Sequence, residues 1–515
     1  MNWRFDNTYV RDLPWLGAAM TPVPVSGPRL VFVGDSLARE LGLDPTWLAS
    51  EAGAQVVAGS AVPEGAEPIA QAYAGHQFGF FSPRLGDGRA HLLGEVVDGQ
   101  GRRRDIALKG SGRTVFSRGG DGRAAIGPVL REVIVSEAMA ALGVPTTRAL
   151  AAAETGEQVW RDGRPERGAV LMRVAASHLR VGTLELVRTQ GSREQLAALV
   201  EFARARHYPE IASGDIWGLF DAIAQRQAEL IAHWMSIGFI HGVMNTDNMA
   251  LSGETIDYGP CAFLDRYDPQ TVYSSIDTGG RYRYSAQPTI AGWNLARLAE
   301  ALLPLAVELG LEEAPAEVVE EATSRVAGFA KRYETAFRSR MAAKLGLPAG
   351  LEDETVDRLV ADLLLIMERE SLDFTGTFRR LSHVLRGEAA PTGEAGAAGE
   401  ADPGRERVTT VELHGSGTAG GLQGWVKAWR EIVTGGDSPG PESVADTLDA
   451  VNPAYIPRNH LVEEALDAAR EGDLAPFEAL VEVLRNPFVE RDEWRRYAEP
   501  APETFAASYI TFCGT

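Results

Sequence analysis

The sequence predicts an α+β chain of two lobes, β-rich in front and helical behind, with a helical C-terminal extension. Three observations predict it. Short apolar runs and glycine turns crowd the stretch before about residue 180. From about residue 190 the apolar residues recur at helical spacing. A run of Gly, Ala, Glu and Pro from Gly387 to Gly404 then breaks the helical pattern, which resumes beyond it. The expected parts are an N-terminal lobe at 1–180, a helical lobe at 181–386, a flexible low-complexity insert at 387–405 and a helical region at 406–515. A chain of 515 residues is too long for one simple core.

Taken in order, residues 1–60 read as irregular, with a short strand at Leu30–Val33 and a helix from Ser36 to Leu41. The stretch from Gln71 to Phe81 is aromatic, punctuated by glycine, and suggests packing near a loop. Gly86-Asp-Gly88-Arg89 is a glycine turn running into a strand. Its glycines let backbone N–H groups approach a phosphate, and Arg89 strengthens an anion reading. Asp105–Lys109 reads as a strand with Ile106 and Leu108 on one face and Lys109 on the other. A polar, glycine-rich loop follows, through Asp121 and Gly122. A helix is expected from Pro128 to a stop before Gly143, carrying Glu132 and Glu137. One of these glutamates is a candidate partner for Lys109, and the other is expected to be solvated. Gly168–Val174 reads as a buried strand. Arg173 and Arg180, on either side of a lobe hinge, are candidate phosphate clamps.

Helices are expected at 221–238, 293–308, 316–345, 354–370, 421–433, 459–471 and 474–485. The first delivers the chain into His241-Gly-Val-Met-Asn-Thr-Asp247-Asn248 and on to Asp257-Tyr-Gly259. Ser252-Gly253 marks a turn between two short apolar runs, so a hairpin is expected that brings Asn248 and Asp257 together. An amide oxygen and a carboxylate at that spacing suit Mg²⁺, a hard ion that prefers oxygen ligands and substrate phosphates. Kinases place an asparagine seven residues after a catalytic-loop histidine and follow it with an Asp-Phe-Gly aspartate on the metal. Here the position of the usual kinase base, two after the histidine, is Val243, and the acid left in the loop is Asp247.

Composition narrows the function class. The net charge of −21 argues against a nucleic-acid partner, which needs a basic footprint. No apolar run is read as a membrane span, and the first residues lack a signal-peptide core. Two cysteines fit a reducing compartment, so a cytoplasmic protein is expected. Of 50 basic residues four are lysines, at 109, 331, 344 and 427. Lys109 therefore stands alone among arginines through the first 330 residues. An ammonium is a compact charge that fits between phosphate and carboxylate, where a planar guanidinium makes other demands.

These motifs together resemble the selenoprotein O family, kinase-fold proteins that transfer AMP from ATP to protein hydroxyls. The resemblance rests on Tyr73-Ala-Gly-His-Gln-Phe-Gly79, Leu85-Gly-Asp-Gly-Arg89, Leu108-Lys-Gly-Ser-Gly112, Gly120-Asp-Gly-Arg123, Ser136-Glu-Ala-Met139, Val144-Pro-Thr-Thr-Arg-Ala-Leu150, His241 to Asn248, and Arg485-Asn-Pro-Phe488. It implies a nucleotide flipped relative to ordinary kinases, with its terminal phosphates inside. Gly86, Gly88, Arg89, Lys109, Asp121, Gly122, Arg173, Arg180 and Asp257 would bind the nucleotide, and Glu132 would hold Lys109. Asn248 and Asp257 would ligate Mg²⁺ or Mn²⁺, and Asp247 would be the base. Target proteins are the implied acceptors, with ATP as donor and other nucleotides such as UMP within the same chemistry. Thr114-Val-Phe-Ser117 departs from the Thr-Pro-Tyr-Ser common in relatives. Cys513 matches the family's C-terminal cysteine or selenocysteine and is a redox candidate; Cys261 is the one other cysteine of the chain, and a bridge to Cys513 and a small buried hydrophobe are both open readings of it. The competing readings are a conventional phosphotransferase, weakened by Val243, and a non-catalytic ATP-binding scaffold.

Overall fold

The computed structural model describes residues 3–161, 163–308, 315–387, 421–436 and 438–512. Much of the insert expected at 387–405 and Cys513 lie outside the described residues.

The first part is built on strands β1 (Gly17–Ala19), β2 (Arg29–Val33), β3 (Ile69–Gln71), β4 (Gly75–Gln77), β5 (Phe80–Ser82), β6 (Ala90–Val97), β7 (Arg103–Lys109), β8 (Ala124–Ala125), β9 (Arg148–Arg161) and β10 (Arg164–Ala175). Eight of them form one antiparallel sheet in the order β1-β3-β6-β7-β10-β9-β2, with β8 on β10; β4 and β5 form a separate hairpin. Register decides which chemistry each face carries. Lys109 pairs with Leu171 and Arg173 with Ala107, while Glu95 pairs with Asp105. Because side chains alternate, Glu95, Asp105, Lys109 and Arg173 all share one face. Ile106, Leu108, Val170 and Met172 turn the other way, into an apolar cluster with Leu37, Leu41 and Val57.

The helices labelled here are α1 (Thr8–Asp12), α2 (Asp35–Glu40), α3 (Pro45–Leu48), α4 (Glu51–Val57), α5 (Ile126–Ala141), α6 (Val181–Gln190), α7 (Arg193–His207), α8 (Ile216–Ile237), α9 (Gln287–Glu308), α10 (Pro315–Lys344), α11 (Asp353–Arg369), α12 (Phe374–Leu385), α13 (Leu422–Thr434), α14 (Pro441–Val451), α15 (Asn459–Glu471) and α16 (Ala475–Leu484). Local signals set their ends. Asp215 caps α8 by accepting from the Gly218 amide at 2.8 Å, and left-handed Gly238 stops it. The Ser192–Gln195 capping box opens α7.

Several expectations change. The hairpin expected across 249–256 does not form. Leu251 N–H donates to Leu179 C=O at 2.9 Å and Thr255 N–H to Pro145 C=O at 2.9 Å. The two runs pair with separate neighbours and so leave no strand ladder between themselves. The turn at Gly253 remains, with φ +78°. Glu137 is not solvated: it is 3% exposed and accepts from Arg485 Nε at 2.8 Å and Arg148 Nη2 at 3.2 Å. Residues 284–307 are apolar and long enough for a membrane span, contrary to the expectation, but Ala291, Leu295, Leu298 and Leu302 lie in the protein's own core. Strand β9 and helices α12 and α14 were not anticipated.

The C-terminal helices α15 and α16 do not stand apart. Leu461, Ala465, Phe477, Leu480 and Leu484 share one buried cluster with Ile126, Val129, Leu130, Val133 and Ile134 of α5. Helix α5 is thereby held between the sheet and α15–α16, which fixes where Glu132 points.

Candidate active site

A cleft of about 1190 Å³ opens between the sheet and the helical part. Gly86, Gly88, Arg89, Lys109, Asp121, Gly122, Glu132, Arg173, Arg180, Asp247, Asn248 and Asp257 all line it. The structure thus brings together the candidate nucleotide, metal and base residues and Glu132, while Glu137 and Cys261 do not line the cleft.

Asp257 is the hub. Its Oδ1 accepts from Lys109 Nζ and from Arg173 Nη1, the latter at 2.8 Å, and Arg180 Nη1 stands 3.6 Å from Oδ2. Burial alone would raise its pKa, but Lys109, Arg173 and Arg180 outweigh that and hold the carboxyl well below the usual range. Its backbone is left-handed at φ +66°, a conformation found mainly for Asn, Asp and Gly. Lys109 also donates to Glu132 of α5, so the one lysine of this half joins strand, helix and hub.

Both arginines are buried and held by other groups. Arg173 Nε meets His178 Nε2 at 3.3 Å, and His178 Nδ1 meets Asp105 at 2.9 Å. Arg206 then bridges Asp105 to Glu95. This chain of polar contacts runs along the charged face of the sheet from the hub to β6. Arg180 lies over the Tyr73 ring, 4.4 Å from its centroid, and donates to the Asp247 carbonyl at 2.8 Å.

The loop 241–248 is fixed at both ends. His241 is buried and its Nε2 meets the Ile256 carbonyl at 3.0 Å. Asn248 Nδ2 donates to the Val243 carbonyl at 3.0 Å, which leaves the amide oxygen as its remaining side-chain acceptor. Asp247 is 8% exposed; its Oδ2 accepts from Gln77 at 3.3 Å, while its buried Oδ1 has no partner. Burial pushes its pKa up to about 6, against the opposing pull of Arg180. Among the described residues no group of three His, Cys, Asp or Glu side chains could hold a metal. The Asn248 amide oxygen and the Asp257 carboxylate still fit a hard divalent cation that completes its shell with phosphate oxygens.

The glycine loop and the loop after β7 are tied together. Thr114 Oγ1 donates to the Asp87 carbonyl at 2.6 Å, and Ser117 Oγ donates to that of Gly88. Gly86, at φ +77°, lies against the Phe116 ring, and an added Cβ would come within 2.4 Å of it. Val115 is exposed. At the outer end, Arg161 grips Asp121 through two hydrogen bonds of 2.8 and 3.0 Å.

Sequence reasoning missed Tyr73, Gln77, Asp87, His178 and Arg161. Tyr73 and Gln77 lay in the aromatic stretch already marked as unusual. His178 and Asp105 carried no local signal, since only the sheet register and the turn after β10 bring them together. Cys261 is buried and its thiol is pushed up to about 12, chiefly by that burial.

Comparison with known proteins identifies the family. Residues 17–485 match the family described as Protein adenylyltransferase SelO. The chain is similar to "Protein nucleotidyltransferase YdiU" of Cereibacter sphaeroides, 51% identical over 519 residues, and of Rhodopseudomonas palustris, 52% identical over 518 residues. The protein of the same name from a Mycobacterium strain is 49% identical over 516 residues. In all three cases the alignment covers 100% of both chains. The chain belongs to the SelO family of protein adenylyltransferases.

Proposed function

We propose that this chain transfers AMP from ATP to Ser, Thr or Tyr hydroxyls of proteins, releasing pyrophosphate, within a kinase-like two-lobed fold. The observation that carries the reading is the pairing of two features in one cleft. Three cations, Lys109, Arg173 and Arg180, converge on Asp257 at its inner end, and Asp247 stands beside them with an unpartnered buried oxygen. The cations suit the β- and γ-phosphates of a nucleotide bound with its phosphates inward, which leaves the α-phosphate facing Asp247. Glu132 and His178 keep Lys109 and Arg173 in place, while Gly86, Gly88 and Arg89 cover the phosphates and Asp121 and Gly122 flank the outer part of the nucleotide.

Asp247 accepts the proton of the incoming hydroxyl as its oxygen bonds to the α-phosphorus, and the bond from that phosphorus to the bridging oxygen of pyrophosphate breaks. Asn248 and Asp257 would hold Mg²⁺ or Mn²⁺, which supplies charge neutralisation to the phosphates. Lys109, Arg173 and Arg180 stabilise the negative charge that gathers on pyrophosphate as it leaves.

The test is to follow label from ATP. Label in the α-phosphate becomes covalently bound to protein, label in the γ-phosphate does not, and the modified peptide gains the mass of one AMP. Transfer of γ-label would return the chain to ordinary kinase chemistry. Binding of ATP with transfer of neither label would favour a scaffold.

A further inference from the structure

The β4–β5 hairpin is bound to the loop that carries Asp247. His76 N–H donates to Thr246 Oγ1 at 2.7 Å, and Glu185 of α6 joins the His76 ring to the same hydroxyl. Gln77 Nε2 reaches Asp247 Oδ2, and Phe78 N–H donates to Asn245 Oδ1 at 3.1 Å. Gly75 permits this approach, since a Cβ there would lie 2.8 Å from Asp247 Oδ1.

The hairpin turns on Phe78 and Gly79, both at positive φ, +52° and +88°. A bulky aromatic residue is rare at the first of these positions. Its amide bonds to Asn245 and Tyr282 hold it there. The turn presents Phe80 to solvent at 80% exposure, with Phe81 beside it at 38%.

Arg281 stands next to this tip. Its guanidinium carbon lies 3.5 Å from where a Cβ on Gly79 would sit, and 4.8 Å from the Trp293 ring centroid. The Asp277 carboxylate accepts the Arg281 backbone N–H at 2.9 Å, but among the described residues no carboxylate lies within salt-bridge distance of the Arg281 guanidinium, and its buried Nε has no partner.

We infer that the hairpin tip and Arg281 form the docking ledge for the acceptor protein. It would bind an extended segment in which an apolar side chain meets Phe80 and an acidic one meets Arg281, on either side of the hydroxyl offered to Asp247. The inference rests on the AMP-transfer reading for the purpose of the ledge. Its own basis is the continuity of the tip with Asp247 and a guanidinium, that of Arg281, with no carboxylate within salt-bridge distance among the described residues.

The test uses synthetic peptides with one hydroxyl, flanked by an apolar residue and Glu, an apolar residue and Lys, or Gly and Glu. Binding is measured by fluorescence polarisation with the full-length protein, separately from transfer of α-label. The wild type binds the apolar–Glu peptide about tenfold more tightly than either of the others, the size of one well-placed contact. Arg281→Glu reverses the preference between Glu and Lys, Arg281→Gln abolishes it, and Phe80→Ala abolishes the apolar preference. All three variants keep wild-type ATP affinity by calorimetry, which shows that the fold and nucleotide site are intact. Equal binding of the three peptides by the wild type, or an unchanged ranking in Arg281→Glu, overturns the ledge. Because binding is read without chemistry, failure of α-label transfer would count against the transfer reading alone.

Discussion

Lys109 and Asp247 lie in one cleft but answer to different physics. Lys109 sits between two carboxylates, Glu132 and Asp257, where phosphate would compete for its ammonium. Lys109→Ala is expected to weaken ATP binding by roughly 10- to 100-fold, the scale of a lost charge-assisted hydrogen bond, and to abolish transfer. Lys109→Arg fails to restore it, because a planar fork does not fit a slot shaped for a point charge. Asp247→Asn should leave ATP affinity nearly unchanged by calorimetry and lower turnover by about 10²- to 10⁴-fold. An Asp247→Asn variant with full turnover would remove the residue from the proton's path. At this scale the sequence was most legible where a residue type was rare. One lysine among arginines, and an acid displaced from position 243 to 247, both stood out. His178 and Asp87 did not, because their partners lie far away in sequence: His178 meets Asp105 across 73 residues, and Asp87 faces Arg180.

Among the elements, α5 and the strand ending in Lys109 were legible from periodicity and a proline in the first turn. The supposed hairpin at 249–256 was not. Its apolar runs had strand-like composition, but the partners that satisfy their backbone come from 145–147 and 179–181. Composition reports that a segment will be buried and extended; it does not report against what. Lys344 gives the clearest test at this scale. It closes α10 at 4% exposure, with its ammonium over the Phe378 ring at 4.3 Å, and burial lowers its pKa to about 7. The unfolded chain therefore binds one proton more than the native one between about pH 7 and the ordinary value of 10.5. This group's contribution to stability rises with pH across that window and is least below it. Lys344→Met is expected to stabilise the protein at pH 6 by about 1–4 kcal/mol. The gain should shrink toward pH 10, as read by denaturant unfolding at both pH values.

For the molecule as a whole, the change from strands to helices near residue 180 was legible from the glycine turns and the helical spacing, but the closure of the N-terminal core was not. Nothing local in α5 shows that its outer face is covered by α15 and α16. A fragment of residues 1–180 is therefore expected to expose that face and to aggregate or bind a hydrophobic dye. Supplying a second fragment that contains α15 and α16 should reduce dye binding. A soluble 1–180 fragment with cooperative unfolding would show that the cover is dispensable. The same arrangement has a consequence in time. Arg131 on α5 and its partner Glu463 on α15 are 332 residues apart. At about 5–20 residues per second, translation separates them by on the order of tens of seconds. Throughout that interval the growing chain carries a finished apolar helix face with no cover. A chaperone engaged during synthesis would find its longest-lived client surface there, and a pause between α5 and α15 would lengthen the exposure.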